Sequence, residues 1–261
     1  MNRDQSDWLD IAIFAVRDAG AFLKKARGGV ITVTSEEGRD IKLALDLESE
    51  ERIVSLLSKN AYFPILSEEM NQTWTPEAFP DYHWIVDPLD GSFNYWRDLP
   101  LCCVSIGLWH GKNPVLGAIY DFNRDELFTG VVGDGAWING ISMKVSDTPV
   151  LEKAVLCTGF PVSTDFSDAA IRQFISFVRD YKKVRLLGSA AISLAYVASG
   201  RVDAYCERDI KIWDVAAGMA IVSAAGGNNH HLPSTAPNCL NIFSGNQNLC
   251  RVSSHHITSS H

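Results

Sequence analysis

No stretch of this 261-residue chain stays apolar for the ~18 residues a membrane-spanning helix needs. One of the least polar runs, Ala190–Ala198, is far shorter. The opening MNRDQSDW lacks the apolar core of a secretory leader. These absences predict a soluble, cytoplasmic protein with no membrane partner. Basic residues are scarce relative to acidic ones, 23 Lys and Arg against 31 Asp and Glu, for a net charge of −8. Nucleic-acid backbones are held by clustered Lys and Arg, so the balance argues against a nucleic-acid polymer as partner. A small anionic substrate stays open, because bound cations can reverse the local sign. Cysteines number only 6, and no Cys-x-x-Cys pair occurs. Disulfide frameworks belong to short secreted chains, so Cys102, Cys103, Cys157, Cys206, Cys239 and Cys250 read as free core residues, and a structural zinc site is excluded. The pairs His230–His231 and His255–His256 lack metal-binding spacing and read as surface residues. No G-x-G-x-x-G follows a strand pattern, which removes a dinucleotide fold. No long Pro/Ser linker, repeat or low-complexity segment divides the chain, and the tail from Arg251 is polar.

What is present is 46% apolar and periodic, as a globular protein requires. Trp8, Ile11, Ala15, Ala19, Phe22 and Leu23 fall at helical spacing over 7–27, stopped by Gly28–Gly29. A second helix is expected over roughly 47–59, with Asp46 as its N-cap. Short apolar runs follow at Tyr62–Ser67 and His83–Val86, then consecutive strands at Leu101–Trp109, Val115–Tyr120 and Glu126–Val132. Asn139–Gly140 signals a tight hairpin. Beyond residue 150 strands and helices alternate: Ala154–Thr158, helix 167–180, Val184–Leu187, helix Ser189–Ser199, Val202–Glu207 and helix Val215–Ala225. The pattern divides into an N-terminal α+β half, residues 1–148, and a C-terminal α/β half, residues 149–261.

Carboxylates recur where the elements end. Asp46 precedes a helix, Glu68 and Glu69 follow one strand, Asp87 and Asp90 another, and Asp214 opens a helix. Such poorly solvated charges must meet basic groups or share cations, and few Lys or Arg lie beside them in sequence. Oxygen-only donors select hard cations such as Mg²⁺ or Mn²⁺. Asp87-Pro88-Leu89-Asp90-Gly91-Ser92 suits this, with two carboxylates around the Leu89 carbonyl, a stiff Pro88, a Gly91 that allows close backbone approach, and a hydroxyl at Ser92. A helix opening over Gly91–Asn94 would turn free N–H groups toward a phosphate. A capped surface turn has the same composition, whereas the spacing excludes an EF-hand. Glu207, at the expected end of its strand, is placed to accept hydrogen bonds from neighbouring hydroxyls of a ring. Lys211 and Arg185 could welcome a second phosphate, or Arg185 could pair with Glu207.

WIVDPLDGSFNY at 84–95 resembles the DPxDG[ST]xN signature of the inositol monophosphatase family. SEEM at 67–70 is similar to its paired-glutamate segment, IWDVAAG at 212–218 with AAGG at 224–227 to its Trp-Asp motif, and GSAA at 188–191 to a further family segment. Order and spacing agree from about residue 7 to 248. Ser92 stands for the commoner threonine and Ser67 for a usual glycine, while Asp40-Ile41-Lys42-Leu43 carries Lys and Leu where Val-Thr is frequent. The resemblance implies a layered α-β-α-β-α sandwich of the sugar-phosphatase type and two or three Mg²⁺ ions, with Mn²⁺ as a substitute. By position it makes Glu68, Asp87, the Leu89 carbonyl, Asp90 and Asp214 metal ligands and puts Asp46 near a third metal. Glu69 would support that shell. Gly188, Ser189, Ala190 and Glu207 would contact substrate, beside Gly91 and Ser92. Ser92 and Glu68 would orient and deprotonate the attacking water, with Asp87 bridging metals. The resemblance further implies lithium sensitivity and a homodimer. The expected activity is hydrolysis of an inositol, polyol or sugar monophosphate. Fructose 1,6-bisphosphate, adenosine 3′,5′-bisphosphate and histidinol phosphate are the alternatives, and a scaffold without turnover is the rival from another class.

Overall fold

The computed structural model describes residues 3–37, 40–70, 72–75, 77–160 and 164–253. Two long helices, α1 (Arg3–Ala26) and α2 (Ala44–Asn60), flank a short hairpin of β1 (Val33–Glu37) and β2 (Asp40–Leu43). The helical spacing of Leu9, Ala12, Val16 and Leu23, and of Ile53 and Leu57, buries one stripe of each helix. That stripe covers one face of a seven-stranded sheet, β3 (Ile65–Ser67), β4 (Tyr82–Asp90), β5 (Cys103–His110), β6 (Asn113–Asp121), β7 (Glu126–Val131), β8 (Gly135–Ile138) and β9 (Ile141–Met143). The strands lie in sequence order, β3 parallel to β4 and every later pair antiparallel. Asn139 and Gly140 both adopt positive φ, 48° and 78°, as a tight hairpin with right-handed twist demands. The short helix α3 (Ser92–Trp96) links β4 to β5.

The second half comprises β10 (Val155–Thr158), α4 (Asp168–Val178), β11 (Lys183–Arg185), α5 (Ala190–Ala198), β12 (Ala204–Lys211), α6 (Ile212–Ala224), β13 (Asn228–Pro233), β14 (Cys239–Gly245) and α7 (Gln247–Ser253). Its sheet runs β11-β10-β12-β14-β13. Helices α5 and α6 lie between the two sheets and are apolar nearly all round, as a doubly covered helix must be. Helices α4 and α7 close the far side around Leu156, Phe243 and Leu249. The layers are therefore α-β-α-β-α, and the central core mixes residues of both halves, Trp109 and Phe128 with Leu194 and Ile221. Helix α6 lies almost on the backbone of the larger sheet. A Cβ on Gly117 would come within 2.4 Å of the Ala217 carbonyl oxygen, and one on Gly130 within 2.9 Å of Ile221 Cα. This contact fixes the start of α6, and hence Asp214, against the end of β4.

Several sequence expectations need correction. Asp46 is not the N-cap of α2. Leu43 holds that place, and Asp46 sits in the first turn, its Oδ2 accepting the Leu43 N–H at 2.7 Å. Strand β4 does not end at Val86 but continues through Asp90; Asp87 and Asp90 pair with Ser105 and Cys103, and the register shifts between them at Pro88–Leu89. Strand β12 likewise passes Glu207 and reaches Lys211 through a bulge. The β1–β2 hairpin and the polar edge strand β13 have no apolar alternation to reveal them. His231 is half-buried and in ring contact with Trp109 at 6.4 Å, unlike the exposed His230. His255–His256 lie outside the described residues. All six cysteines are free and buried.

Candidate active site

A cleft of about 650 Å³ opens between the ends of β4 and β12 and the N-termini of α5 and α6. Its floor is built from element ends. Glu68 follows β3, Asp87 and Asp90 close β4, and Asp214 stands in the first turn of α6. One oxygen each from Glu68, Asp87 and Asp214 lies within 4.8 Å of the others, with Asp87 buried and the other two half-buried. Loss of water and the neighbouring Glu68, Asp90 and Asp214 carboxylates push Asp87 well above the usual carboxylate range. Burial and the charges of Glu68, Asp90 and Glu207 do the same to Asp214, which hydrogen-bonds to Asp87. Like charges at this spacing are strongly unfavourable without a counter-charge. An all-oxygen set on rigid element ends fits a hard divalent cation.

The surrounding groups are fixed in turn. Asp87 Oδ1 accepts the Leu89 N–H at 3.0 Å. Asp90 Oδ2 accepts the Ala191 N–H at 2.9 Å and the Ser189 hydroxyl, so the N-terminus of α5 holds this carboxylate from the other half. Ser189 also caps α5 through the Ile192 N–H. The Ser92 hydroxyl lies 3.0 Å from the Leu89 carbonyl and 3.4 Å from Asp46 Oδ1. Ser49 donates to the Pro88 carbonyl at 2.8 Å and pins the turn from α2. Lys42 pairs with Glu69 at 2.8 Å, and the Glu69 N–H reaches Glu50 at 3.2 Å.

A sequence profile of the inositol monophosphatase family matches residues 4–251. The chain belongs to that family. Relatives include Nus factor SuhB of Pasteurella multocida, 38% identical over 84% of this chain and 83% of its own length. Inositol-1-monophosphatase of Synechocystis is 38% identical over 86% of this chain and 78% of its own. The solved inositol monophosphatase of Anabaena superposes with a TM-score of 0.83 at 34% identity, covering 98% of this chain and 96% of that one. The protein is thus a phosphatase of the inositol monophosphatase family, and the family depends on metal ions.

The cleft gathers Glu68, Asp87, Leu89, Asp90, Gly91, Ser92, Gly188, Ser189, Ala190, Glu207, Lys211 and Asp214 from the residues singled out in the sequence. Asp46 lies behind it, touching Ser92. Arg185 does not line it. That side chain is exposed on β11 and donates to the Val184 carbonyl at 3.0 Å. Glu207 takes its hydrogen bond from Tyr205 Oη instead, at 2.8 Å. Lys211 sits over the Trp213 ring at 5.6 Å and reaches the Pro237 carbonyl at 3.4 Å. Sequence reasoning overlooked Tyr205, Asp209, Phe160 and Gly159. Only Gly159 left a usable trace. A Cβ there would come within 2.4 Å of Glu207 Oε2, so a side chain at this position would displace the Glu207 carboxylate.

Burial pushes Asp46 from 3.8, and Glu207 from 4.5, up to about 7. Between those limits the folded protein keeps protons that the unfolded chain has released. This stability is complete below the unfolded values and is lost as pH rises through about 7. The melting temperature in EDTA should therefore fall across that window, and Glu207→Gln should flatten part of the fall. A metal-free melting temperature that climbs over the same range would contradict this assignment.

Proposed function

We propose that this phosphatase hydrolyses the monophosphate of a polyol or sugar ring, with Mg²⁺ held by Glu68, Asp87 and Asp214 and further ions by Asp90, the Leu89 carbonyl and Asp46. The observation that carries the reading is the carboxylate trio on the cleft floor with Glu207 on its wall. Divalent cations held there would supply charge for phosphoryl oxygens, acidified water and stabilisation of a leaving oxygen. The protein's own part is positional. Glu68 borders the space for the attacking water and serves as its base, while Ser92, held by Leu89 and Asp46, orients it. Asp87 and Asp214 would hold the cation that faces the phosphate. Asp90 is immobilised by α5, so the site needs little rearrangement as charge develops.

Glu207 defines the alcohol end. Its carboxylate is held by Tyr205 and faces the cleft, where it can accept hydrogen bonds from ring hydroxyls and would oppose a second phosphate. Arg185 lies outside the cleft, and Lys211 is engaged with Pro237 and Trp213. Neither arrangement favours a bisphosphate. A nucleic-acid partner is not proposed, because the net charge of −8 offers no broad basic face. Comparing kcat/KM for inositol 1-phosphate, fructose 1,6-bisphosphate and adenosine 3′,5′-bisphosphate tests the substrate class. The monophosphate should lead, and Glu207→Gln should lower its kcat/KM selectively. A tenfold or greater preference for either bisphosphate, ~1.4 kcal/mol in transition-state binding, would replace this reading with a second phosphate site at Lys211.

A further inference from the structure

Asn94 lies beneath the cleft and does not line it. Its side chain is buried in α3, and its Nδ2 faces the carbonyls of Leu101 at 2.8 Å, Leu187 at 2.8 Å and Gly188 at 3.1 Å. Three carbonyl oxygens supply no proton, so the amide nitrogen, not its oxygen, must point at them. Two of these carbonyls belong to the other half of the protein, in the turn immediately before Ser189. That turn is special. Gly188 has φ +71°, and a Cβ on it would come within 2.9 Å of Asn94 Nδ2. Across from it Gly91 has φ +87°, and a Cβ there would meet the Leu101 oxygen at 2.8 Å and the Gly188 oxygen at 3.2 Å. Both turns are thus pressed together with room only for glycine.

The same two segments are joined a second time on the cleft side, where Asp90 Oδ2 takes the Ser189 hydroxyl and the Ala191 N–H. Residues 90–94 and 187–191 are therefore stitched twice, once by Asp90 and once by Asn94. If the Leu187–Gly188 turn shifts, the N-terminus of α5 shifts with it, and so do the donors that set the direction of the Asp90 carboxylate. We infer that Asn94 is a positioning residue that aligns the two halves of the site and thereby sets the Asp90 carboxylate for cation binding. It touches neither substrate nor ion.

This inference rests on the metal-dependent reading above, and the experiment separates the two. Mg²⁺ binding to the whole protein is measured by titration calorimetry and by the rise in melting temperature with added Mg²⁺, together with kcat and KM, for wild type, Asn94→Ser, Gly188→Ala and the double variant. Asn94→Ser should weaken Mg²⁺ binding about tenfold, within the range typical for groups that orient metal ligands. It should lower kcat more than it raises KM. Gly188→Ala strains the same contact from the other side, so the double variant should lose much less than the product of the two single losses. Loss of melting temperature with unchanged Mg²⁺ affinity would reduce Asn94 to a structural tie, and strictly multiplicative losses would show that the two residues act separately. Either result overturns the inference. If Asn94→Ser does not fold, Gly188→Ala alone must still show the weakened Mg²⁺ response. A wild-type protein indifferent to Mg²⁺ would instead sink the metal-dependent reading itself.

Discussion

Asp87→Asn should cut kcat by more than ~10²-fold, beyond the 10–100-fold typical of second-sphere groups, and in EDTA it should raise the melting temperature. The two effects have one cause. Asp87 is buried beside Glu68, Asp90 and Asp214, and its carboxyl is driven well above its ordinary range by that crowding. An amide of the same shape can still accept the Leu89 N–H, which Asp87 Oδ1 takes at 3.0 Å. The fold therefore keeps its hydrogen bond and loses a repulsion. For a chain of this size each kcal/mol relieved is worth roughly 2–4 °C. If Asp87 binds the proposed cation, catalysis loses a carboxylate whose charge balances it, and the neutral amide does not restore that charge. A general packing defect would lower both quantities together. Full turnover of wild type in excess EDTA, or an Asp87→Asn enzyme within tenfold of wild type, would remove the cation from the centre of the mechanism.

The carboxylate turn proposed to bind metal stands out in the sequence because its polar groups are contiguous. Asp87-Pro88-Leu89-Asp90-Gly91-Ser92 names two carboxylates, a carbonyl and a hydroxyl within six residues, and Gly91 is left-handed and packed against the Leu101 and Gly188 carbonyls. Glu68 and Asp214 could be added because carboxylates at the ends of buried elements need an explanation. The helix pair and the antiparallel sheet followed from helical spacing in α1 and α2 and from the apolar runs of β4 to β7, whereas the layered sandwich was implied by the family resemblance. Other features depend on contacts distant in sequence. Asp46 looks like an N-cap, but a carboxylate three residues into a helix can bond backward to the residue before it, and local sequence does not separate the two. Glu207 was placed at a strand end, whereas pairing with β14 carries β12 on to Lys211 through a bulge. The Tyr205–Glu207 bond joins two residues on the same face of β12 and was open to local reasoning, whereas the exposure of Arg185 arises from the sheet edge, which no local pattern encodes. The polar strand β13 is held by backbone pairing with β14 and by Asn229, which donates to the Met219 carbonyl and Ser223 and accepts from Ser244, contacts far apart in sequence or invisible to apolar patterning.

Ser92→Ala should lose ~10²–10⁴-fold in kcat, the span of a positioned proton-transfer group, and Ser92→Thr should remain close to wild type. The hydroxyl stands 3.0 Å from the Leu89 carbonyl and 3.4 Å from Asp46 Oδ1, in the cleft that Glu68, Asp87 and Asp90 also line. It has one proton, so when it donates to one of these oxygens its own lone pairs are turned in a fixed direction. That direction is what can orient a water for in-line attack. The competing role, capping α3, predicts lost stability with kcat retained. Gly91 occupies the N-cap position of α3 without a side-chain bond, and Ser92 is already inside the helix. Removing the hydroxyl should thus leave the melting temperature nearly unchanged. Threonine restores the oxygen at the same branch point and adds one methyl beside a half-buried site. Kinetics and thermal melts of the three proteins, at saturating Mg²⁺, decide the matter. Equal kcat in Ser92→Ala and wild type would leave Glu68 and the bound cations to orient the water without this hydroxyl. A fall in melting temperature with kcat preserved would return Ser92 to a purely structural part in α3.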